Sequence, residues 1–253
     1  MKKRLDLLLV ERGLAESRAQ AQALVMAGLV PGYDKAGQQV ADDAPLEVVA
    51  PPRFVSRGGE KLAHGLDLLG VDPAGRDCLD LGASTGGFTD VLLQRGAARV
   101  AAVDVGYGQL HPRLRDDPRV TVYERTNARA LTELPFAPSL IVCDVSFISV
   151  RLVLPPALAL AAPEWDAVVL VKPQFEAGRD EVGRGVVRDP QIHARVIRDI
   201  AEAALAWKAR PLGVVDSGLP GPKGNREFLL HLTSDSDPRL PDELDAWIAA
   251  AIV

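Results

Sequence analysis

The chain has few of the residues from which disulfide frameworks and metal sites are built. Only two of its 253 residues are cysteines, Cys78 and Cys143, and both fall in apolar stretches that we predict to be buried strands. Reduced thiols in the core of a cytoplasmic protein are the simplest interpretation of such a pair. The four histidines are scattered without the spacing of metal ligands. We therefore expect a cytoplasmic protein without a metal ion.

Long hydrophobic runs are also missing. Apolar residues make up 47% of the sequence, yet no run approaches the roughly 18 residues that span a bilayer. The opening MKKRLDLLLVERG is basic and then briefly apolar, but Glu11 and Arg12 interrupt it and no small-residue cleavage site is evident. This pattern predicts neither a signal peptide nor a membrane partner, and it disfavours a membrane-damaging toxin.

An excess of positive charge is a third feature that the sequence lacks. The formal net charge is −5, and residues 1–50 carry six cations against seven acids. A protein that binds nucleic acid through its overall field is basic. Any contact with nucleic acid must therefore be made by a local basic face.

Residues 77–106 form the stretch around which the rest of the chain is organised. Their pattern predicts a strand that stops at Gly82, a helix that ends near Gly96, and a second strand that stops at Asp104. Two parallel strands joined by a helix form a right-handed unit, and ligands bind beyond the carboxyl ends of its strands. The stretch predicts an α/β domain with a ligand site at this edge.

The turn over 82–87 indicates which ligand binds. Its spacing is G-x-x-x-G-G and not the G-x-G-x-x-G that cradles a pyrophosphate, which disfavours an NAD-dependent oxidoreductase. Asp104 follows about twenty residues later, where a carboxylate can bind a ribose diol. The pattern resembles the S-adenosylmethionine (AdoMet) site of Rossmann-like methyltransferases; a buried turn without a ligand is the alternative. The candidate cofactor residues are Gly82, Ala83, Ser84, Thr85, Gly86, Gly87, Asp104 and Asn127.

Further strands are predicted over 120–127, 140–142, 167–171, 212–215 and 226–233, with helices over 152–162, 190–207 and 241–252. Several of these strands are bounded by polar residues at the edge where an open parallel sheet places its active site. Residues 174–189 are long for a loop, and the sequence leaves open whether they form a functional lid or a disordered surface loop.

The first fifty residues predict a separate small unit. Helices are expected over 4–12 and 17–27, with short strands near Val40 and over 46–49, and Pro51-Pro52 marks a linker. We predict domains over 1–50 and 56–253 joined by 51–55. The pattern RLDLLLVERGLAESRAQAQALVMAGLV resembles the S-four RNA-binding domain; a solvated helical hairpin is the alternative. This resemblance places Arg4, Arg18 and neighbouring cations against RNA phosphates, and the candidate RNA-binding residues are Lys3, Arg4, Arg12, Arg18 and Arg57.

Four charged residues are predicted near the ligand edge of the sheet: Lys61, Asp144, Lys172 and Glu227. Methyl transfer to the 2'-hydroxyl of an RNA ribose needs such a set, because the hydroxyl is a poor nucleophile while it holds its proton. A lysine can accept that proton or stabilise the alkoxide, and the carboxylates can hold the lysines in place. Four ordinary salt-bridging surface residues are the alternative.

The motifs GASTGGFTDVLLQRGA, VDVGYGQL, ERTNAR, DVSFIS, VKPQFE and PGPKGNREF together resemble the TlyA family. The resemblance implies an AdoMet-dependent methyltransferase that acts on cytidine 2'-hydroxyls of ribosomal RNA, in the large subunit or in both. It also implies a small α+β S-four domain before an FtsJ-like domain with a Rossmann-like, seven-stranded, mostly parallel sheet. Within it, Lys61, Asp144, Lys172 and Glu227 correspond to the family's catalytic tetrad. We expect a monomer that binds ribosomal RNA or ribosomal subunits. A non-catalytic RNA-binding protein is the alternative, but no tetrad residue or glycine is missing.

Overall fold

The computed structural model describes residues 2–183, 185–221 and 223–253. The chain divides into two compact units, residues 1–53 and residues 54–253. The division falls within the segment 51–55 that contains Pro51-Pro52.

The first unit packs two helices against a short ribbon. Strand β1 (Lys2–Arg4) pairs antiparallel with β2 (Gln39–Ala41), and helices α1 (Leu5–Glu11) and α2 (Arg18–Met26) follow β1. Ser17 caps α2, since its side chain accepts a hydrogen bond from the Gln20 amide at 3.2 Å. Leucines from α1 and small residues from α2 form a core of their own.

The predicted strand over 46–49 does not form, whereas β1 was not predicted. Residues 46–49 have strand-like composition, but β1 is the partner of β2 in the two-stranded sheet. Residues 46–49 have no regular secondary structure, and the Val49 amide donates to the Leu29 carbonyl at 2.9 Å. Composition favoured a strand here, but a strand also needs a pairing partner.

The second unit is built on a seven-stranded sheet, as predicted. Its strands are β3 (Asp77–Leu81), β4 (Arg99–Val103), β5 (Val120–Tyr123), β6 (Leu140–Cys143), β7 (Asp166–Val171), β8 (Ala209–Asp216) and β9 (Phe228–Ser234). They lie in the order β5-β4-β3-β6-β7-β9-β8. β9 pairs antiparallel with β7 and β8, and the other neighbouring strands pair in parallel. The strand order reverses between β3 and β6, and a crevice for ligands opens at such a point.

Helices cover both faces of the sheet. They are α3 (Arg57–Leu69), α4 (Gly87–Gln94), α5 (Pro112–Arg115), α6 (Val150–Leu158), α7 (Pro173–Glu176), α8 (Arg179–Val182), α9 (Pro190–Leu205) and α10 (Leu244–Ala251), with a 3₁₀ turn over Ala128–Ala130. Alternation along β7 separates two cores: Val168 and Leu170 pack with α3 and α4, while Ala167, Val169 and Val171 pack with α6, α9 and α10.

Several predicted boundaries change. The strand predicted over 120–127 ends at Tyr123, and the helix predicted over 152–162 spans 150–158 because Ser149 caps it by accepting from the Arg151 amide. The predicted loop 174–189 contains α8 and most of α7. Arg184, part of that predicted loop, lies outside the described residues.

A network of charged side chains links neighbouring elements at the edge of the sheet opposite the crevice. Asp166, at the start of β7, accepts hydrogen bonds from His231 Nε2 at 3.0 Å and from Arg76 Nη1 at 2.8 Å. Burial alone raises the pKa of the Asp166 carboxyl, but these two partners outweigh burial and lower it to about 2. The charged form of Asp166 is therefore more stable in the folded protein than in the unfolded chain.

We expect Asp166→Asn to lower the free energy of unfolding by about 2 kcal/mol at pH 7. Because the folded pKa is depressed, the contribution of Asp166 is complete above its unfolded value, near 3.8, and is lost as the pH falls through about 2. Urea denaturation between pH 7 and pH 3 should show the wild type and the variant converging only below about pH 4. Asp237→Asn, which breaks a pair exposed at the surface, is the control and should change little. A constant difference at every pH would contradict this assignment.

Candidate active site

The site begins where the strand order reverses. Gly82 follows β3 and Asp144 follows β6, so the two residues lie side by side at the carboxyl ends of adjacent parallel strands. Gly82 has φ +84°, and a Cβ atom there would meet the Asp144 carbonyl oxygen closer than the 3.0 Å that real Cβ contacts respect. Only glycine allows this close approach.

Several of the predicted cofactor residues surround a cavity of about 350 Å³, which we call the cofactor pocket. Gly82, Ser84, Asp104 and Asn127 line it. The Asp104 carboxylate accepts from the Ser84 amide at 2.8 Å and from the Gly106 amide at 2.6 Å. A carboxylate offers about four lone-pair sites, so Asp104 keeps capacity for a ribose diol.

Most of the remaining predicted cofactor residues line an adjoining pocket. Ala83, Thr85 and Gly87 line it together with Ser56 and Gly58, which precede or open α3. Gly86 is the N-cap of α4, with φ +99°. The sequence motifs did not identify Ser56, because its place opposite the turn depends on the packing of α3 against α4. A Cβ at Gly87 would collide with the Ser56 hydroxyl.

A buried carboxylate links the two elements on either side of the turn over 82–87. Asp80 Oδ2 accepts from the Thr89 amide at 2.9 Å and from the Thr89 hydroxyl at 2.6 Å, which ties β3 to the start of α4. Its Oδ1 receives no hydrogen bond from the described residues. Burial raises the pKa of Asp80 to about 7 against the effect of the Thr89 bonds, and the nearby Asp144 charge adds to the rise.

The four predicted tetrad residues meet in a second cavity, the acceptor cleft, of about 580 Å³. They form two ion pairs. Lys61 pairs with Glu227, and both side chains are less than a tenth exposed. Lys172 Nζ lies 2.5 Å from Asp144 Oδ1 and donates to the Ser146 hydroxyl at 2.9 Å. One pair is buried and the other is partly exposed, and both line the same cleft.

Each of these side chains is carried by a rigid part of the fold. Lys61 lies in α3, and Lys172 directly follows β7 and precedes Pro173, the first residue of α7. Glu227 directly precedes β9, and Gly221 packs so tightly on its carboxylate that a Cβ would clash with it. Side chains carried by helices and strand ends are positioned more precisely than side chains on loops, which is what group transfer needs.

Asp144, Ser146 and Phe147 line both the cofactor pocket and the acceptor cleft, so the two cavities meet there. Phe147 is 91% exposed and has φ +64°, an unusual conformation for a bulky residue. Its ring lies 5.0 Å from that of Phe175. The DVSFIS motif drew attention to this segment, but nothing in the sequence signals a strained and exposed aromatic side chain.

The predicted RNA-binding cations of the first unit fall into two groups. Arg4 and Arg18 both donate to the buried carboxylate of Asp6, at distances of 2.9–3.0 Å, and Gln22 donates to it as well. The hydrogen bonds from Arg4, more than those from Gln22 and Arg18, hold the pKa of Asp6 far below its usual value despite burial. Asp6 thus gathers two partly exposed guanidinium groups on one face.

The other predicted cations have different surroundings. Lys3 pairs with Glu11 at 2.7 Å and with Asp42 at 3.1 Å. Arg12 donates to the carbonyls of Asp42 and Ala44, which gives it a structural role. Arg57 belongs to the second unit, where it lines the acceptor cleft and donates to the Pro220 carbonyl at 3.0 Å.

Two classes of feature are not found within the described parts of the chain. None of their helices combines the length and apolar character needed to cross a membrane. No group of three or more acidic, histidine or cysteine side chains there could hold a metal ion.

Comparison with known proteins adds independent evidence. Residues 54–234 match the model of the FtsJ-like methyltransferases, and residues 3–30 match that of the S4 domain. The 16S/23S rRNA (cytidine-2'-O)-methyltransferase TlyA of Mycobacterium tuberculosis is 50% identical over 94% of this chain and 92% of its own length. A candidate rRNA methyltransferase of Bacillus subtilis, YqxC, is 49% identical over 91% of this chain and 85% of its own length.

A solved structure is also similar. It is described as a candidate hemolysin from Streptococcus thermophilus, with 41% identity and a TM-score of 0.77 over 99% of this chain and 95% of its own. Proteins described as methyltransferases and a protein described as a hemolysin are therefore both similar to this chain over most of its length.

We expect Gly82→Ala to weaken AdoMet binding by at least roughly 10-fold, because the new methyl group would collide with the Asp144 carbonyl and displace the floor of the pocket. Isothermal titration calorimetry measures this. Gly96→Ala is a matched control: Gly96 has the same φ of +84°, but its nearest neighbours lie 3.8 Å from the added atom. Equal AdoMet affinities for the two variants would show that the contact between Gly82 and Asp144 does not determine AdoMet binding.

Proposed function

The chain belongs to the TlyA family of FtsJ-like methyltransferases, and on that premise we propose that it transfers a methyl group from AdoMet to the ribose 2'-hydroxyl of a cytidine in ribosomal RNA. The observation that carries the proposal is the meeting of the cofactor pocket and the acceptor cleft at Asp144, beside the amine of Lys172. A hydroxyl placed in the cleft reaches the cofactor pocket at this point.

The residues around the first cavity fit the cofactor. Gly82 lets the ends of β3 and β6 come into contact beside this cavity, and Asp104 offers carboxylate oxygens to the adenosine ribose. Bound AdoMet supplies an electrophilic methyl group on a sulfonium. Asp104 and Asn127 would orient the nucleoside end, and Ser56 and Gly58 would surround the methionine end.

The protein's own chemistry concerns the acceptor. As the ribose oxygen forms its bond to the methyl carbon, the bond from that carbon to sulfur breaks and the hydroxyl proton is lost. The neutral amine of Lys172 would accept this proton, or its ammonium form would stabilise the developing charge on the oxygen. Asp144 and Ser146 fix the lysine amine by an ion pair and a hydrogen bond. The buried Lys61–Glu227 pair forms the opposite part of the cleft and supports the orientation of the ribose.

The first unit would capture the RNA. Arg4 and Arg18, gathered by Asp6, offer two guanidinium groups to phosphates, which bind them by paired hydrogen bonds. This assignment is consistent with the local basic face that a chain of net charge −5 requires.

Mapping the methylated nucleotide tests the proposed reaction. The purified protein is incubated with methyl-labelled AdoMet and, separately, with small subunits, large subunits and free ribosomal RNA. Label should appear in a cytidine whose 3' phosphodiester resists alkali, because the methylated 2'-oxygen cannot attack the phosphate. Label on a base, or no label in any of the three substrates, would contradict the proposal.

Lys172 provides a sharper test. Lys172→Ala should reduce turnover by roughly 10²–10⁴-fold, the usual weight of a general acid–base group, while AdoMet affinity stays near the wild-type value. Lys172→Arg should fail nearly as badly, because a guanidinium stays protonated and cannot accept the proton. Single-turnover kinetics separates these effects from binding, and Lys208→Arg, at an exposed position, is the control. A fully active Lys172→Arg enzyme would exclude proton abstraction by this residue and leave a positioning role.

The RNA-binding face predicts a salt effect. Arg18→Gln should weaken RNA binding and lower the slope of log affinity against log salt by about 0.9, the value for one lost phosphate contact on a duplex. AdoMet binding should not change. Arg239→Gln removes the same charge from an exposed position of the second unit and serves as the control. An unchanged slope for Arg18→Gln would remove this face from the RNA interface.

A further inference from the structure

Asn225 is a buried polar residue that neither the tetrad nor the cofactor pocket explains. It is 3% exposed, and it lines the acceptor cleft. Its Oδ1 accepts from the Val187 amide at 3.0 Å, and its Nδ2 donates to the Gly185 carbonyl at 2.9 Å. The reverse amide orientation would set donor against donor and acceptor against acceptor, so these two partners fix its orientation.

The two bonds join parts of the chain that are far apart in sequence. Gly185 forms part of the wall of the acceptor cleft, whereas Asn225 lies two residues before Glu227. The Asn225 carbonyl accepts from the Gly221 amide at 2.9 Å, and Gly221 packs against the Glu227 carboxylate. The side chain of Asn225 therefore connects the cleft wall at 185–187 directly to the turn that holds a tetrad residue.

The same wall segment is tied down on its far side. His193 of α9 is 2% exposed, and its Nε2 lies 3.0 Å from the Val187 carbonyl. Its ring packs against Phe228, the first residue of β9. Residues 185–187 are thus held between α9 and Asn225, and of these two attachments only Asn225 lies in the cleft.

We propose that Asn225 is a positioning residue for the acceptor nucleotide. By clamping residues 185–187 to the turn before Glu227, it sets the width of the acceptor cleft and keeps the Lys61–Glu227 pair in place. Asn225 does not line the cofactor pocket, so it affects RNA binding and the rate of turnover but not the affinity for AdoMet. The inference rests on the proposed function in that the cleft receives the RNA nucleotide.

The test uses the full chain with Asn225→Ala, which removes both bonds, and Asn225→Asp, which keeps the acceptor for Val187 but loses the donor to Gly185. For Asn225→Ala we expect kcat/KM for the ribosomal substrate to fall by roughly 10- to 100-fold, the worth of two buried hydrogen bonds, with both a higher KM and a lower kcat. The AdoMet dissociation constant should change by less than about 2-fold, since no shared contact is lost.

Hydrogen exchange followed by mass spectrometry supplies a readout that does not depend on activity. Peptides covering 185–190 should exchange faster in Asn225→Ala, while in Asn225→Asp the Val187 amide should stay more protected. Ile248→Ala, a core truncation in α10 that lines neither cavity, controls for general destabilisation. It should lower the melting temperature without the combined change in KM, kcat and local exchange.

The outcomes separate the two proposals. Wild-type protein that methylates no ribosomal RNA would overturn the proposed function, whatever the exchange data show. Active wild type together with unchanged KM, kcat and 185–190 exchange in both Asn225 variants would overturn the role of Asn225. If Asn225→Ala does not fold, Asn225→Asp decides: wild-type kinetics despite the lost bond to Gly185 would equally overturn it.

Discussion

The close approach of two strand ends is the constraint on which the site depends. Gly82 after β3 and the Asp144 backbone after β6 are in contact, and nothing larger than a hydrogen atom fits between them. Asp144 takes part in both cavities: its backbone forms the floor of one and its carboxylate holds Lys172 in the other. On the proposed function, a shift at this contact would move the cofactor pocket relative to Lys172, and group transfer tolerates little misplacement of the reacting groups.

On the proposed function, the two lysine–carboxylate pairs serve the binding of the acceptor more than the stability of the fold. Removing an ion pair from water costs free energy that its Coulomb attraction repays only with good geometry, and apolar residues of similar volume are often as stable. The Lys61–Glu227 pair is nearly fully buried and faces an open cleft, whereas the hydrophobic cores on the two faces of the sheet need no such pair. Its presence is better explained by what the cleft must bind.

Sequence reasoning predicted the sheet, because buried strands are clearly marked by their apolar runs. It also predicted that the four tetrad residues lie close together, because polar residues that bound parallel strands meet at one edge of the sheet. It did not indicate which lysine pairs with which carboxylate. That depends on β9 entering the sheet between β7 and β8, which places Glu227 beside Lys61 although 166 positions separate them in the sequence.

Sequence reasoning also missed Phe147, because its unusual backbone conformation cannot be recognised from composition. Arg12 was grouped with Arg4 and Arg18 as a cation, although its guanidinium is bound to carbonyls of its own unit. Charge is visible in a sequence, but the direction of a side chain is not.

The late position of β9 has a consequence for synthesis on the ribosome. Residues 77–144, which supply most of the cofactor pocket, leave the exit tunnel well before Glu227 does. Until then the nascent chain holds Lys61 without its carboxylate partner, and a cation without a counter-charge resists burial. The antiparallel β8–β9 pair therefore completes the acceptor cleft late in synthesis. A chain truncated before it would retain most of the residues that line the cofactor pocket but would lack Glu227 and the turn before it.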